Sequence, residues 1–405
     1  MSDPVSVIGG VYRERCLRPA WDEIYGSGGR AASALSAMGA ASILHSYLSS
    51  TYREVLTHRA VHESFEIGEG REGPEVGFDY DHGLSTPRIF GARVQQPPLE
   101  INASQILRFG LIEGDAVVHG DQVVYDPQNA EVPRAFAANG STAKRLALIL
   151  NHYEAAELSN LRNASPTDMA KALLETAKAS VVVIKRGPFG ALVYDGRTFE
   201  EVPAYRSKSV WKIGSGDNFS AHFTLRWMCE AKPAAESADL ASRATAYYCE
   251  HRGFASPQLL VSYAPEPIKP PRDAFKARKP AVYLAAPFFS LAQLWIVTQA
   301  RRDLRNMGLE VFSPYHDVGL GSAEDVVDLD LEAIKRCDLM FAIGDGLDSG
   351  TIYEIGYARA LGKPVILYCE NESSESKKMM EGSGCQLQLD YVSAIYEALW
   401  AACKL

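Results

Sequence analysis

The sequence predicts an α/β protein of two domains, a larger layered domain followed by a smaller parallel-sheet domain, and three observations predict it. The first is length, since 405 residues exceed what one hydrophobic core usually serves. The second is a break at residues 264–280, "APEPIKPPRDAFKARKP", where five prolines alternate with charge and resist both helix and sheet interior. The third is the recurrence of short, unbroken apolar runs ("SVVVIK", "DLMFAI", "PVILYC") between helical patterns, as buried parallel strands require. The division is therefore residues 1–263, a connector at 264–280, and residues 281–405, with domains of about 265 and about 125 residues.

Composition narrows the function classes. With 47% hydrophobic and 22% charged residues the chain is an ordinary globular one, not a disordered one. A formal charge of -9 and no dense Lys/Arg block argue against nucleic acid or an anionic membrane as the main partner. The seven cysteines stand singly, with no CxxC, which fits a reducing cytosol better than a disulfide frame or structural zinc. The opening "MSDPVSVIGG" lacks the charged and apolar regions of a signal peptide, and no apolar run approaches membrane-spanning length. A cytoplasmic location is expected.

The N-terminal elements follow in order. "VSVIGG" reads as a strand, and "GSGGRAASALSAMGA" (26–40) as small-residue turns around an Ala-rich helix. Then come "DAVVHG", "QVVYDPQNA", "LALILNHYEAAEL", "SVVVIKRGPFGALVYDG" and "WKIGSGDNFSAHFTLRWM", strands alternating with helices in α/β layers. The turn Gly214-Ser215-Gly216-Asp217 opens the last helix and aims backbone N–H groups where an anion could sit. Such a turn begins many helices, and Asn151-x-x-Glu154 says less still. Only their order along the chain gives them weight.

In the C-terminal part, "VYLAAPFF" (282–289) is a strand, "AQLWIVTQARRDLRNMG" (292–308) an amphipathic helix closed by Gly308, and "LEVFSPYHD" a second strand and loop. "DVVDLDLEAIKRCDLMFAIGDGLDSGTIYEIGYARALGKPVIL" adds two strand–helix units. Its stretch 348–364, "DSGTIYEIGYARALGKP", is a helix ended by Gly362 and Pro364. It places two carboxylates, Asp348 and Glu354, at the carboxyl end of a strand, where open α/β sheets bind ligands. Glu354 is expected in the first helical turn, where the dipole would keep it ionised. Alone, such a Glu complements a helix dipole and such an Asp caps a helix. The region "SKKMMEGSG" and a plain amphipathic helix, "DYVSAIYEALWAACKL", close the chain.

Residues 5–255 resemble the ribokinase-like (PfkB) family of sugar and nucleoside kinases, with weaker agreement at 41–105, which implies a three-layer α/β fold. The resemblance makes Asp217 the base that takes a hydroxyl proton, and gives the anion hole to Gly214, Ser215 and Gly216. It assigns Asn151 and Glu154 to organising Mg²⁺ and phosphates, Glu154 indirectly as a metal residue. It places Gly187 and Gly190 at the nucleotide and Gly28 and Gly29 at the sugar, with ATP and Mg²⁺ as cofactors. Two departures stand out. The acid usual after the first strand is missing from "GGVYRERCLRPAWDE", with only Asp22 further on, and "NFSAHF" replaces the small residues usual after the base. The substrate is therefore expected to differ from a standard hexose.

Residues 281–382 resemble the nucleoside 2-deoxyribosyltransferases and related N-glycosidases, which implies a Rossmann-like parallel sheet and no cofactor. The resemblance makes Glu354 the nucleophile, Asp348 the residue binding sugar or base, Asp330 a further active-site acid and Tyr283 the hydrogen-bond donor to the nucleophile. Gly350 and Thr351, between the two acids, fall against the substrate. Carboxylates suit this chemistry, because glycosidic cleavage passes through an oxocarbenium-like state that a carboxylate can stabilise or bond to. Transfer and hydrolysis share the first half-reaction, so both stay open. Ser290 in "PFFS" is a hydroxyl that a phosphorylated substrate could meet.

Together these features point to a bifunctional enzyme acting on a nucleoside or nucleotide, with homo-oligomerisation implied by both resemblances. One half would break or transfer the N-glycosidic bond while the other phosphorylates the sugar or nucleoside. The alternative is a regulated effector, whose kinase-like half senses a ligand and whose glycosidase half depletes nucleotides. A pair of binding modules is a third reading, opposed by the retention of both Asp217 and Glu354.

Overall fold

Val5–Ile8 (β1), four consecutive buried residues, lies inside a parallel sheet flanked on both sides, as its unbroken apolar run requires. The computed structural model describes residues 3–68, 70–91, 95–128, 132–268 and 278–405, so residues 269–277 of the Pro-rich connector fall outside the described residues. The chain divides into two compact units, Met1–Pro267 and Ile268–Leu405.

In the first unit, β2 (Arg13–Arg18) and β3 (Trp21–Ile24) follow β1, then β4 (Ser42–His45), β5 (Glu66–Ile67), β6 (Gly77–His82) and β7 (Arg88–Phe90). The long β8 (Leu99–Phe109) and β9 (Ala116–Asp126) come next, then β10 (Thr142–Asn151), β11 (Val181–Lys185), β12 (Ala191–Tyr194) and β13 (Phe199–Val202). The main sheet runs β13-β12-β11-β10-β9-β8-β1-β4-β5, parallel except where β12 meets β11 and β13. One face packs on helices 26–37, 50–63, 215–224 and 234–251 through Leu35, Leu56, Phe223 and Ala241. The other packs on helices 152–159 and 166–176 through Ala155, Met169 and Leu173. The result is three layers, helix–sheet–helix.

A second sheet, β3-β2-β6-β7, stands apart from the first. Over residues 13–16 of β2 exposure alternates: Arg13 and Arg15 face outward onto Asp22 and Asp79, while Glu14 and Cys16 face inward. β6 pairs with β2 in parallel and sets Phe78 beside Glu14 and Tyr80 beside Cys16.

The second unit is a five-stranded, all-parallel sheet in the order 310–312, 281–285, 339–343, 365–368, 386–388. The chain order reverses between the first strand, Ala281–Ala285, and the third, Leu339–Ile343. That reversal opens a crevice beyond their carboxyl ends. The helix Tyr391–Ala402, expected to be amphipathic, is instead buried along its whole length. Glu397 is its only charged side chain, so it has no polar face to offer water.

Candidate functional site

The crevice of the second unit holds the first site. Asp348 ends the loop after strand 339–343 and caps helix 349–360, accepting from the backbone N–H of Thr351 at 2.9 Å and from its hydroxyl at 3.0 Å. The hydroxyl of buried Thr351 is thus committed to the cap, and exposed Gly350 lies against Asp348. With Ser349 as the first helical residue, Glu354 stands in the second turn and not, as expected, in the first. The Asp348 cap sets that start and removes Glu354 from the strongest part of the dipole.

Across the crevice Tyr283, fully buried on its strand, donates to Glu354 Oε1 at 2.6 Å. Glu354 is not held ionised at neutral pH by its helix. Burial lifts its carboxyl to about 7, the nearby Asp330 and Asp348 charges push the same way, and the Tyr283 hydroxyl alone pulls it down. Burial and the Glu354 charge keep the Tyr283 hydroxyl protonated, hence a donor. Asp330, on helix 323–336, is also raised by burial, and its Oδ1 is buried without a hydrogen-bond partner. Four side chains from three elements and one loop thus share one crevice. Ser290 caps the helix 291–306, its hydroxyl oxygen accepting from the Gln293 N–H at 3.4 Å.

Tyr283→Phe removes the one group that lowers the Glu354 carboxyl. Its midpoint is expected to rise by about 1 pH unit, since a hydrogen bond to a charged acceptor contributes on the order of 1.5–3 kcal/mol. A carbon-13 titration of the glutamate carboxyls reads this directly, and an unmoved midpoint would contradict the assignment.

The second site lies in the first unit, in a cavity of about 520 Å³ between the main sheet and the small one. Aromatic Tyr12, Phe78 and Tyr80 wall it, and Glu14, Glu154, Asp217, Gly214 and Gly216 line its polar side. Gly26 and Ser27, not Gly28 and Gly29, form the wall at the start of helix 26–37. Gly28 instead donates to Gly10 O at 3.0 Å, and a Cβ there would stand 2.5 Å from Gly9 O, so its role is close helix–strand packing.

Gly214 takes φ +76 and caps helix 215–224, with buried Asp217 in its first turn. Both Asp217 oxygens are engaged: Oδ2 accepts from Arg30 Nη1 at 2.9 Å and Oδ1 from Gln128 Nε2 at 2.7 Å. Arg30, 0% exposed, also donates to Glu14 through both terminal nitrogens and to Tyr248 through Nε at 2.9 Å. A buried guanidinium left with no acid partner costs about 3–5 kcal/mol, and Arg30 has two acids to pair with.

Deeper, Lys185 Nζ lies 2.5 Å from Asp126 Oδ2, which Ser220 also reaches at 2.7 Å. Asp126 Oδ1 stays buried without a hydrogen-bond partner. Asn151 and Glu154 form the capping box of helix 152–159 at 2.7 and 2.9 Å. Burial lifts Glu154 to about 7, the Asp126 charge adds to it and Lys185 opposes. Gly187 and Gly190 bracket the turn after β11, both at positive φ, and lie outside the cavity wall.

Several of these residues were absent from the sequence-based reading. The pocket acid near the first strand is Glu14, hidden in the alternation Arg13-Glu14-Arg15-Cys16, whereas Asp22 is a surface partner of Arg13. Arg30, Gln128, Asp126, Lys185 and Ser220 were not singled out either. The replacement "NFSAHF" leaves the pocket alone: its Ser220 serves Asp126, and His222 is buried with both ring nitrogens unpartnered, pushed down to about 3 by burial.

Residues 116–259 match the family model for pfkB family carbohydrate kinases, and residues 282–389 match that for nucleoside 2-deoxyribosyltransferases. No curated protein matches the chain. Among solved structures, fructokinase from Vibrio cholerae O395 aligns with a TM-score of 0.48 and 12% identity, over 64% of this chain and 98% of its own. Ribokinase from Thermotoga maritima aligns with a TM-score of 0.47 and 16% identity, over 65% and 96%. A nucleoside kinase from Methanocaldococcus jannaschii aligns at 0.47 and 13%, over 64% and 97%.

Proposed function

The chain joins a pfkB-type carbohydrate kinase segment to a nucleoside 2-deoxyribosyltransferase segment, and from that premise we propose a nucleoside-processing enzyme with one reaction in each unit. Residues 1–263 and 281–405 are the two functional domains of this reading. The observation that carries it is Glu354, half-buried in the crevice at the strand-order reversal with Tyr283 on one oxygen and two further acids beside it.

In the C-terminal domain the ionised Glu354 attacks C1′ of the sugar. The C1′–N bond breaks, its electrons pass to the base nitrogen, and a proton neutralises the departing base. Asp330, in the same crevice with one buried oxygen that has no hydrogen-bond partner, is the acid we assign to passing that proton to the base. Asp348 holds the sugar while it caps the helix. Water or a second base then releases the glycosyl group from Glu354, so hydrolysis and transfer differ only in the acceptor.

In the N-terminal domain Glu14 accepts a substrate hydroxyl and Asp217 takes the proton of the hydroxyl to be phosphorylated. The residues present fit ATP and Mg²⁺. The N–H groups of the Gly214–Asp217 turn and Lys185 would hold phosphate, and the orphaned Asp126 oxygen with Glu154 would face the metal. Bound there, ATP supplies the phosphoryl group and Mg²⁺ offsets its charge. Aromatic walls suit a base or a sugar face.

Mass spectrometry of purified protein incubated with ribo- and deoxyribonucleosides and their 5′-phosphates, with and without ATP and Mg²⁺, tests both halves. Free base is expected without ATP, and phosphorylated product with it. No base from any substrate would refute the glycosidic half.

A further inference from the structure

We propose that Arg30 is the positioning residue of the N-terminal site, one buried guanidinium that sets the acid facing the ligand, Glu14, and the acid taking the proton, Asp217, in a fixed relation. This role rests on the phosphoryl-transfer reading of that site. Arg30 does not line the cavity, whereas both of its acids do. It therefore acts on a ligand only through them.

The arrangement is over-determined in a way that simple charge pairing does not need. Arg30 uses its fork on Glu14, a second bond of Nη1 on Asp217 and Nε on Tyr248, whose own hydroxyl is fixed on Ile213 O at 2.9 Å. Gln128 pins the other Asp217 oxygen. Gly214 makes room for this, since a Cβ there would stand 2.0 Å from Arg30 Nε. The glycine that shapes the helix-start turn is also the one that admits the guanidinium. Its side-chain partners come from the small sheet and from two helices, with Gln128 on the loop after β9 joining through Asp217, so Arg30 ties the sheet that carries Glu14 to the helix that carries Asp217.

Electrostatics give the tie a purpose. Without Arg30 two carboxylates would face one cavity together with an incoming phosphoryl group, with no cation spanning them to offset the repulsion. Bound to both, the guanidinium lets each acid stay an acceptor and keeps Asp217 aimed. Lysine cannot substitute, because one ammonium has no planar fork to span two carboxylates.

The test uses the full chain with Arg30→Lys and Arg30→Met, and adenosine, uridine and ribose as acceptors with ATP and Mg²⁺. Base release by the C-terminal domain in the same preparations, with circular dichroism, reports folding. Arg30→Lys is expected to lower kcat for phosphorylation about 10²-fold, as a misplaced base does, and to raise KM for the acceptor about 10-fold while KM for ATP holds. Parental kcat and acceptor KM in Arg30→Lys would overturn the role, and so would loss of fold in both variants, which makes Arg30 structural only. If the parent transfers no phosphoryl group, the phosphoryl reading fails by itself and calorimetry decides the positioning. Acceptor affinity about 10-fold weaker in Arg30→Lys supports it, whereas equal affinity, or no acceptor binding by the parent, overturns it.

Discussion

Glu354→Gln is expected to cut base release by at least about 10³-fold, because the amide keeps the shape of the side chain and its contact with Tyr283 but cannot bond to C1′. Chromatography of free base from a nucleoside substrate measures it. A residual rate within ten-fold of the parent would show that the carboxylate is not the nucleophile. Two corollaries separate this from general damage. The parent rate should rise with pH through about 7 as Glu354 ionises, and the residual rate of the amide should not follow that curve. Stability should move the other way. The unfolded carboxyl ionises near 4.5 and the folded one near 7, so the folded state binds the extra proton in between, and stability falls as pH rises through that window. Glu354→Gln escapes this cost and should be more stable than the parent at pH 8 by about 1–2 kcal/mol, discounted for solvent screening. A variant less active and more stable is the signature of a group strained for function.

The layers of both units were legible because buried parallel strands are written locally, as in "SVVVIK" and "LMFAI", and because helix starts carry their own signals. The same holds for parts of the sites. Asp217 and Glu354 each follow a strand and a small-residue turn, so a local reading finds them. What resisted was contact at a distance. Arg30 reaches partners 16, 187 and 218 positions away, and nothing around "GGRAAS" says that an arginine there is wholly enclosed. The small sheet shows the same limit: β2 pairs in parallel with β6, and Arg15 meets Asp79 across 64 positions, so the inward face of "RERC" could not be assigned and Glu14 passed unnoticed. Electrostatics failed for a related reason. The helix dipole at Glu354 was read from chain position, but burial and the neighbouring acids outweigh it, and both depend on tertiary packing.

Asp217→Asn should abolish phosphorylated product, by about 10²–10⁴-fold, while base release by the C-terminal domain stays at the parental rate. The amide retains an oxygen for Arg30 and leaves the turn at Gly214 intact, so binding of the acceptor should change far less than kcat. The charge it removes is one of two on Arg30, so some loss of stability is also expected, on the order of 1–3 kcal/mol, with Glu14 keeping the guanidinium partnered. Single-turnover measurement with radiolabelled ATP separates chemistry from binding. Product formed by the variant at the parental rate would remove Asp217 from the reaction. If parent and variant alike bind the acceptor and transfer nothing, both oxygens of Asp217 are bonded to no chemical end, and the cavity is a ligand sensor beside a glycosidase. Arg30 and Gln128 hold the carboxylate in place in either case, so the transferred phosphate, not affinity, decides between an enzyme of two reactions and one with a gauge attached.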